Sequence, residues 1–267
     1  MKIYRINNKI ARLNSKWMKE SDEPLPDYNP LNLPPYTIRI QTTNTSQPVC
    51  QLQYADVSIS QVQGYNNVWD VTAVERLGGN ITDWGYMFYT NGTSNVYKVL
   101  GANTTGVTKM NRMFEDCRNL AEVSIFDTTS VTDMNSMFHN CEVLTSVGEF
   151  NTSNVTDMSN MFYYCPQLLN VPLFNTHNVT SISRFLSDCY HLQSIPAFDF
   201  SSVTGSIYQA FYKGYRVNSG ILAMYNQLSS NPNVEVVGYT FNYTGTQSET
   251  GILEYNQIPS SWGGGAS

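Results

Sequence analysis

Charge is scarce in this 267-residue sequence. Asp, Glu, Lys and Arg together make up 13%, about half the roughly 25% of an average soluble chain. There are three histidines, His139, His177 and His191. No apolar run approaches the roughly 18–20 residues that a membrane-spanning helix needs. The opening MKIYRINNKIARLNSKW lacks the apolar core and small-residue cleavage site of a secretory signal, so a product that is not exported is expected. Also missing are a Gly-Lys phosphate loop, a Gly-x-Ser-x-Gly elbow, a His-Glu-x-x-His pair and Cys-x-x-Cys spacing. The expected protein is not an enzyme, and no catalytic residue, cofactor or metal ligand is assigned. Aromatics at 13% separate the chain from disordered sequences, which are rich in charge and poor in rings.

The net charge of −6 is unevenly spread. Lys2, Arg5, Lys9, Arg12, Lys16 and Lys19 face Glu20 alone in the first twenty residues, so that this arm is basic and the remainder strongly acidic. An acidic body is a poor partner for nucleic acid, which needs clustered Lys and Arg against phosphate.

What the chain has instead is a repeat. Cys117, Cys141, Cys165 and Cys189 stand 24 residues apart, inside the registers 103–126, 127–150, 151–174 and 175–198. An upstream copy covers 81–100, and a fifth begins at Asp199 and departs, with Lys213 at the expected cysteine position. A fixed period of this length signals units that bury their faces only against their neighbours. Met134, Met137, Phe138 and Cys141 follow the i, i+3, i+4, i+7 stripe of a short helix. Thr132 would cap that helix and Asp133 would suit its positive end. Leu144, Val147 and Phe150 then predict a short extended segment. Strands stack about 4.8 Å apart and helices 8–10 Å, so the expected stack curves with its strands inside.

The cysteine column is read as buried thiols serving as small apolar side chains; a disulfide or metal ladder is the disfavoured alternative, because stacked units point their Cβ atoms in parallel. Asp133 and Asp157 share a repeat position, for which helix capping is preferred over paired acid–base work. The histidines are read as solvated surface groups. The Asn-x-Thr/Ser triplets at Asn80, Asn91, Asn103, Asn154, Asn178 and Asn242 are read as turn formers rather than glycosylation sites.

In the arm, Arg5–Ile10 and Arg12–Trp17 duplicate each other. Asn-Asn and Asn-Ser fit two-residue hairpin turns, while Ile3, Ile6, Ile10, Leu13 and Trp17 also fit a helical stripe; both remain open, with the hairpin preferred. Ile3, Arg5, Ile6, Lys9, Ile10, Arg12, Leu13, Lys16 and Trp17 are the candidate anchoring residues. Docking into an assembly partner is weighed against folding back on the body and, because the apolar face is thin, only distantly against binding a membrane surface. Five prolines in 21–35 give a semi-rigid spacer. Alternation over 36–78 predicts a small antiparallel β unit. Ile221, Leu222, Tyr225 and Leu228 predict a helix, and Val234 to Phe241 a strand. Between the apolar marks of the C-terminal half, Tyr163, Tyr164, Tyr190, His191, Tyr208, Tyr212 and Tyr215 form a candidate ligand or partner surface; ordinary packing between units or a capping contact is the preferred reading of these rings, ahead of a subunit contact and a glycan site.

The string VTDMxxMFxxCxxLxxVxxF resembles the leucine-rich repeats of BspA-like bacterial surface proteins over about 81–213. The segments PPYTIRI, VWDVT and GANTTGVTKM, with Thr250–Glu254 and Ile258–Trp262, resemble BspA-type proteins encoded by gut bacteriophages, including the crAss-like phages. The resemblance implies an α/β fold: a curved leucine-rich-repeat solenoid of 24-residue units with a small N-terminal β cap and a C-terminal helix and strand cap. The expected divisions are 1–20 (arm), 21–35 (linker), 36–78 (β cap), 79–213 (solenoid) and 214–267 (C-terminal cap and tail). It implies a virion structural protein, a head or tail fibre or appendage made in the host cytoplasm, held to capsid or tail proteins through residues 1–35 and adhering to a host surface glycan or protein. A dimer or trimer is expected, since fibres have closed symmetry. The alternative is a bacterial cell-surface adhesin of the BspA type. In the fourth copy Ile182 and Phe185 replace the methionines, which suggests adaptation towards an end cap.

Overall fold

The computed structural model describes residues 4–6, 9–11, 33–52, 55–75, 81–235 and 239–266. The fold is mixed α/β, mostly strand and hydrogen-bonded turn, with two short α-helices among the described residues. Strands β1 (Tyr4–Ile6) and β2 (Lys9–Ala11) pair antiparallel with Arg5 opposite Ile10. This is the hairpin reading of the arm, and the helical stripe is not formed. Of the anchoring residues, Ile3, Arg12, Leu13, Lys16 and Trp17 lie outside the described residues, as do the second half of the duplication and most of the proline-rich linker.

The next strands form one six-stranded sheet in the order β4-β5-β3-β6-β7-β8. They are β3 (Thr37–Thr42), β4 (Asp56–Gln61), β5 (Val68–Val74), β6 (Val96–Asn103), β7 (Glu122–Val123) and β8 (Ser146–Val147). Alternation decides which face is buried: Ile38, Ile40, Val71 and Ala73 turn into the core. On the other face Arg39 donates both to Asp70 Oδ1 (2.6 Å) and to Oδ2 (2.7 Å). The β4-β5-β3-β6 portion is antiparallel, whereas β6, β7 and β8 run parallel. The N-terminal β unit therefore shares a sheet with the first repeats.

The repeats contain no helix where one was expected. Met134, Met137, Phe138 and Cys141 are fully buried, as their spacing required, but Ser136 and Asn140 are left-handed, at φ 55° and 60°. Arg112 and Asp116, Asn160 and Tyr164, and Arg184 and Asp188 repeat the pattern. A left-handed residue every fourth position costs on the order of 1–2 kcal/mol each and cannot continue an α-helix. The conformation is held by the neighbouring unit. Met134, Ser136, Phe138 and Asn140 donate their N–H groups to the carbonyls of Asp157, Ser159, Met161 and Tyr163, at 2.8–3.1 Å. The intervening Met137, His139 and Cys141 close turns on Met134, Ser136 and Phe138, at 3.1–3.3 Å. Overlapping turns thus face inward with nearly the helical spacing, which is why periodicity alone misassigns them. Thr132 and Asp133 do not cap a helix: Thr132 Oγ1 donates to the Thr108 carbonyl (3.3 Å), and Asp133 Oδ1 accepts the Asn135 N–H (2.9 Å).

Equivalent positions stack in register, with parallel bridges running Asp83–Lys109–Asp133–Asp157–Ser181. Phe88, Phe114, Phe138 and Phe162 stack with centroids 5.4, 5.6 and 5.5 Å apart. On the extended side Phe126, Phe150, Phe174 and Phe198 follow at 5.0, 6.3 and 6.3 Å. Both sides advance by similar steps, so the helix-against-strand argument for curvature loses its basis. The four column cysteines are free and fully buried. Each Sγ donates to a phenylalanine carbonyl of the preceding unit: Cys117 to Phe88, Cys141 to Phe114, Cys165 to Phe138 and Cys189 to Phe162.

The step into the fifth unit is one residue longer than the 24-residue steps before it. That unit's left-handed residues are Gln209 and Lys213, so Lys213 takes the place of Asp188, and Gly214, not Lys213, takes the place of the thiol. The ladder also continues past residue 213. Phe211 and Lys213 donate to the carbonyls of Thr240 and Asn242, both at 2.9 Å. Phe241 stacks on Phe211 (5.2 Å, 9°), and Thr244 Oγ1 donates to the Phe211 carbonyl as the cysteines do. Between them lie α1 (Ile221–Ser230), which buries Ile221, Met224 and Leu228, and β10 (Val234–Glu235), parallel to β9 (Gly205–Ser206). Of the expected Val234–Phe241 strand, Val234 and Glu235 are in β10; 236–238 lie outside the described residues and Tyr239 begins a turn. Helix α2 (Gly251–Tyr255) and a 3-10 turn (Ser260–Trp262) bring Trp262 over the end, where its carbonyl accepts the Phe241 N–H.

Candidate binding surface

The residues flanking each central phenylalanine carry rings and charges, and across the stack these side chains form two rows. The first is continuous. Arg112 lies over the Tyr86 ring (5.5 Å) and donates to Glu115 Oε2 (3.1 Å). Glu115 Oε1 is 2.9 Å from His139 Nδ1, and His139 stacks on Tyr163 at 4.9 Å and 8°. Arg184 then lies over both Tyr163 (5.5 Å) and Tyr208 (5.0 Å), and Tyr208 meets Tyr239 edge-on. Both faces of Tyr163 are thereby covered, one by an imidazole and one by a guanidinium.

The second row is tyrosine throughout. Tyr164 meets Tyr190 edge-on at 6.2 Å, Tyr190 tilts against Tyr215 at 5.6 Å, and Tyr215 and Tyr212 both reach Tyr243, at 6.4 and 6.3 Å. Under them sits the buried Asp188 carboxylate. It accepts the hydroxyls of Ser187 (2.8 Å) and Tyr190 (3.2 Å) and lies 3.5 Å from Lys213 Nζ. Burial and the Asp188 charge push the Tyr190 hydroxyl up to about 12. Desolvation works against the Lys213 ammonium, but Asp188 and the hydroxyls of Tyr212 and Tyr190 outweigh it, and the group sits above its ordinary value.

Six of the seven candidate surface residues therefore fall in the two rows, Tyr163 and Tyr208 in the first and Tyr164, Tyr190, Tyr212 and Tyr215 in the second. His191 does not join them, since its Nδ1 lies 2.7 Å from the Pro166 carbonyl of the preceding unit. The reading of all histidines as solvated holds for exposed His177, beside Asp199 at 3.1 Å. It fails for half-buried His139 and His191, because the unit before each supplies a partner. Asp199 itself sits below the usual carboxylate range, held there by the Ser201 hydroxyl and N–H and by His177. Arg112, Arg184, Tyr239 and Tyr243 escaped the sequence reading. The Tyr208/Tyr212 spacing recurs at Tyr239/Tyr243, but helix α1 separates the two pairs and hides the periodicity.

The shared-position carboxylates are local structure. Asp133 and Asp157 each accept an N–H two residues on, from Asn135 and Ser159. Burial raises the Asp133 carboxyl, the Asn135 N–H opposes this, and Asp157 adds to the rise. Asn154 and Asn178 donate their side-chain amides to the carbonyls of Thr129 and Ser153 in preceding units, both at 2.7 Å, in keeping with a structural use. Among the described residues no group of three His, Cys, Asp or Glu could hold a metal ion, and no helix is long and apolar enough to cross a membrane.

A leucine-rich repeat protein from Bacteroides ovatus is similar at 13% sequence identity with a TM-score of 0.28. The alignment takes in 63% of this chain and 45% of that one, so the chain spans under half of that protein's length. No curated protein matches the sequence. The family described as "Mycoplasma protein of unknown function, DUF285" matches in three overlapping registers, residues 58–168, 82–194 and 121–224. The first two are displaced by one 24-residue unit, as a repeat family requires. The matches together take in residues 58–224, more than half of the chain, and the chain belongs to this family.

Proposed function

We propose that the chain is a binding scaffold without catalytic chemistry, built as a leucine-rich-repeat solenoid of the BspA type, that serves as a virion fibre or appendage. In this reading residues 1–35 attach it to capsid or tail proteins, and the stacked turns present their side chains to a host surface. The observation that carries the scaffold reading is the double row of rings and paired charges on successive turns, a surface repeated by construction. Tyrosines of this kind supply large, rigid, amphipathic contact area. The virion assignment is supported by the resemblance of the repeats and flanks to phage-encoded BspA-type proteins. The second reading, a cell-surface adhesin, is favoured by a family description drawn from Mycoplasma, a cellular source.

The test is to raise antibody to recombinant 36–267 and follow the native protein through a density gradient of source-culture lysate. Co-sedimentation with intact particles, located by gold labelling, is the expected result. Recovery only with cell envelopes would replace the virion reading with the adhesin.

A further inference from the structure

The two rows differ in what they leave open. In the first, the ring faces and ionic groups from Tyr86 to Tyr208 are consumed internally, Arg112 by Tyr86 and Glu115, Tyr163 by His139 and Arg184, Tyr208 by Arg184, and Tyr239 at its end is 52% exposed. That row is a clamp between units. In the second, Lys213 Nζ lies over the Tyr212 ring at 4.8 Å, but Tyr164 is 38% and Tyr243 50% exposed, and the ring contacts of these two are with the edges or tilted planes of other tyrosines rather than a stacked partner.

We infer that the patch of Tyr164, Tyr190, Tyr212, Tyr215 and Tyr243 is a binding site for a neutral polysaccharide. The inference rests on the adhesive reading above and names its ligand class. The patch is electrically balanced. Its buried carboxylate, Asp188, and its cation, Lys213, pair with each other at 3.5 Å, so neither is left to attract an ion. The chain beyond the arm is strongly acidic, which disfavours anionic polymers such as nucleic acid or sulfated glycans. Neighbouring rings lie at 80° (Tyr164 and Tyr190) and 62° (Tyr212 and Tyr243), whereas successive bases of a single strand stack on parallel platforms. A puckered sugar ring instead offers C–H groups to a tyrosine face and hydroxyls to the phenol rims. The exposed aliphatic side chains Ile125, Leu169 and Leu173 belong to the extended side of their units and not to the tyrosine row.

The experiment is native affinity electrophoresis of the full chain through gels cast with laminarin, mannan, galactan or xyloglucan, and with heparin as the anionic control. Expected is retardation in at least one neutral gel and none in heparin. The Tyr164→Ala/Tyr243→Ala double variant should lose at least ten-fold in affinity, and Tyr164→Phe/Tyr243→Phe, which keeps the rings, should retain most of it. Ile125→Ala, an exposed side chain on the extended side of its unit and outside both rows, should bind as the parent does. Circular dichroism melts check that each variant folds; if the alanine pair does not, the single Tyr243→Ala replaces it. Retardation in no neutral gel, stronger retardation in heparin, or equal binding by the alanine variant would overturn the inference. Co-sedimentation with particles is read independently, so a failed ligand class and a failed adhesive scaffold are told apart.

Discussion

The Sγ of Cys165 donates to the carbonyl of Phe138 in the preceding unit, at 3.0 Å. The same bond recurs at the other column cysteines, so each thiol ties one turn to the phenylalanine of the turn before it. Burial pushes the Cys117 and Cys165 thiols up to about 12. At pH 8 the four column cysteines should resist iodoacetamide in the native state and react fully in urea, because only the thiolate attacks. The folded-state value lies above the unfolded 9.0, so both states keep the proton below pH 9. Above it the unfolded state ionises first, and stability should fall as pH rises from about 9 towards 12. Urea midpoints at pH 8, 10 and 11 check this; an unchanged midpoint would contradict it.

Ser136 separates the turn from the helix by sign. In a helix, alanine would be favoured over glycine by about 1 kcal/mol. At φ 55° glycine is favoured, because it escapes the left-handed penalty of about 1–2 kcal/mol. Both substitutions lose the same Ser136 Oγ to Asn135 bond, so that loss cancels in their difference. Ser136→Ala is expected to be less stable than Ser136→Gly by about 1 kcal/mol in urea unfolding.

Phe138 stacks on Phe114, Phe162 and Phe150, at 5.6, 5.5 and 6.2 Å. Phe138→Ala should cost about 3–5 kcal/mol, the usual range for a fully buried ring. Phe138→Leu should cost less than half of that. A loss under 1 kcal/mol for the alanine variant would mean that the stack does not depend on its ring column.

Gly220 opens helix α1 at φ 93°, and a Cβ there would lie 2.1 Å from the Ile195 carbonyl oxygen. Backbone strain and backbone collision act together, so Gly220→Ala should destabilise by more than about 2 kcal/mol. Thermal melts of the pair provide the measurement.

How much was legible follows from how local each signal is. Ile38, Ile40 and Val71 announced their buried face by alternation, and Ile221 and Leu228 their helix by spacing. The inward residues of the repeats were also correct, because Met134, Met137, Phe138 and Cys141 recur at fixed intervals. Their backbone conformation was not legible, since Ser136 and Asn140 become left-handed through bonds to Ser159 and Tyr163, which belong to the next unit. The surface shows the same division. Tyr163 and Tyr164 stood out as neighbours in the chain, but the arginine between Tyr163 and Tyr208 acts across units. The extra residue before Gln209 moved Lys213 onto the carboxylate side of its turn, a shift that strict counting by 24 could not reveal.

The hydrogen-bond ladder from each turn to the next has a consequence for inheritance. A unit such as 151–174 offers donors and acceptors on its two faces that match any copy of itself, so an in-frame duplication adds a layer without redesign of its neighbours. Length can therefore drift between relatives while the two ends, the antiparallel sheet at one and Trp262 at the other, stay fixed. Because Tyr163 and Tyr164 travel with that unit, a duplication would lengthen the ringed surface in the same event.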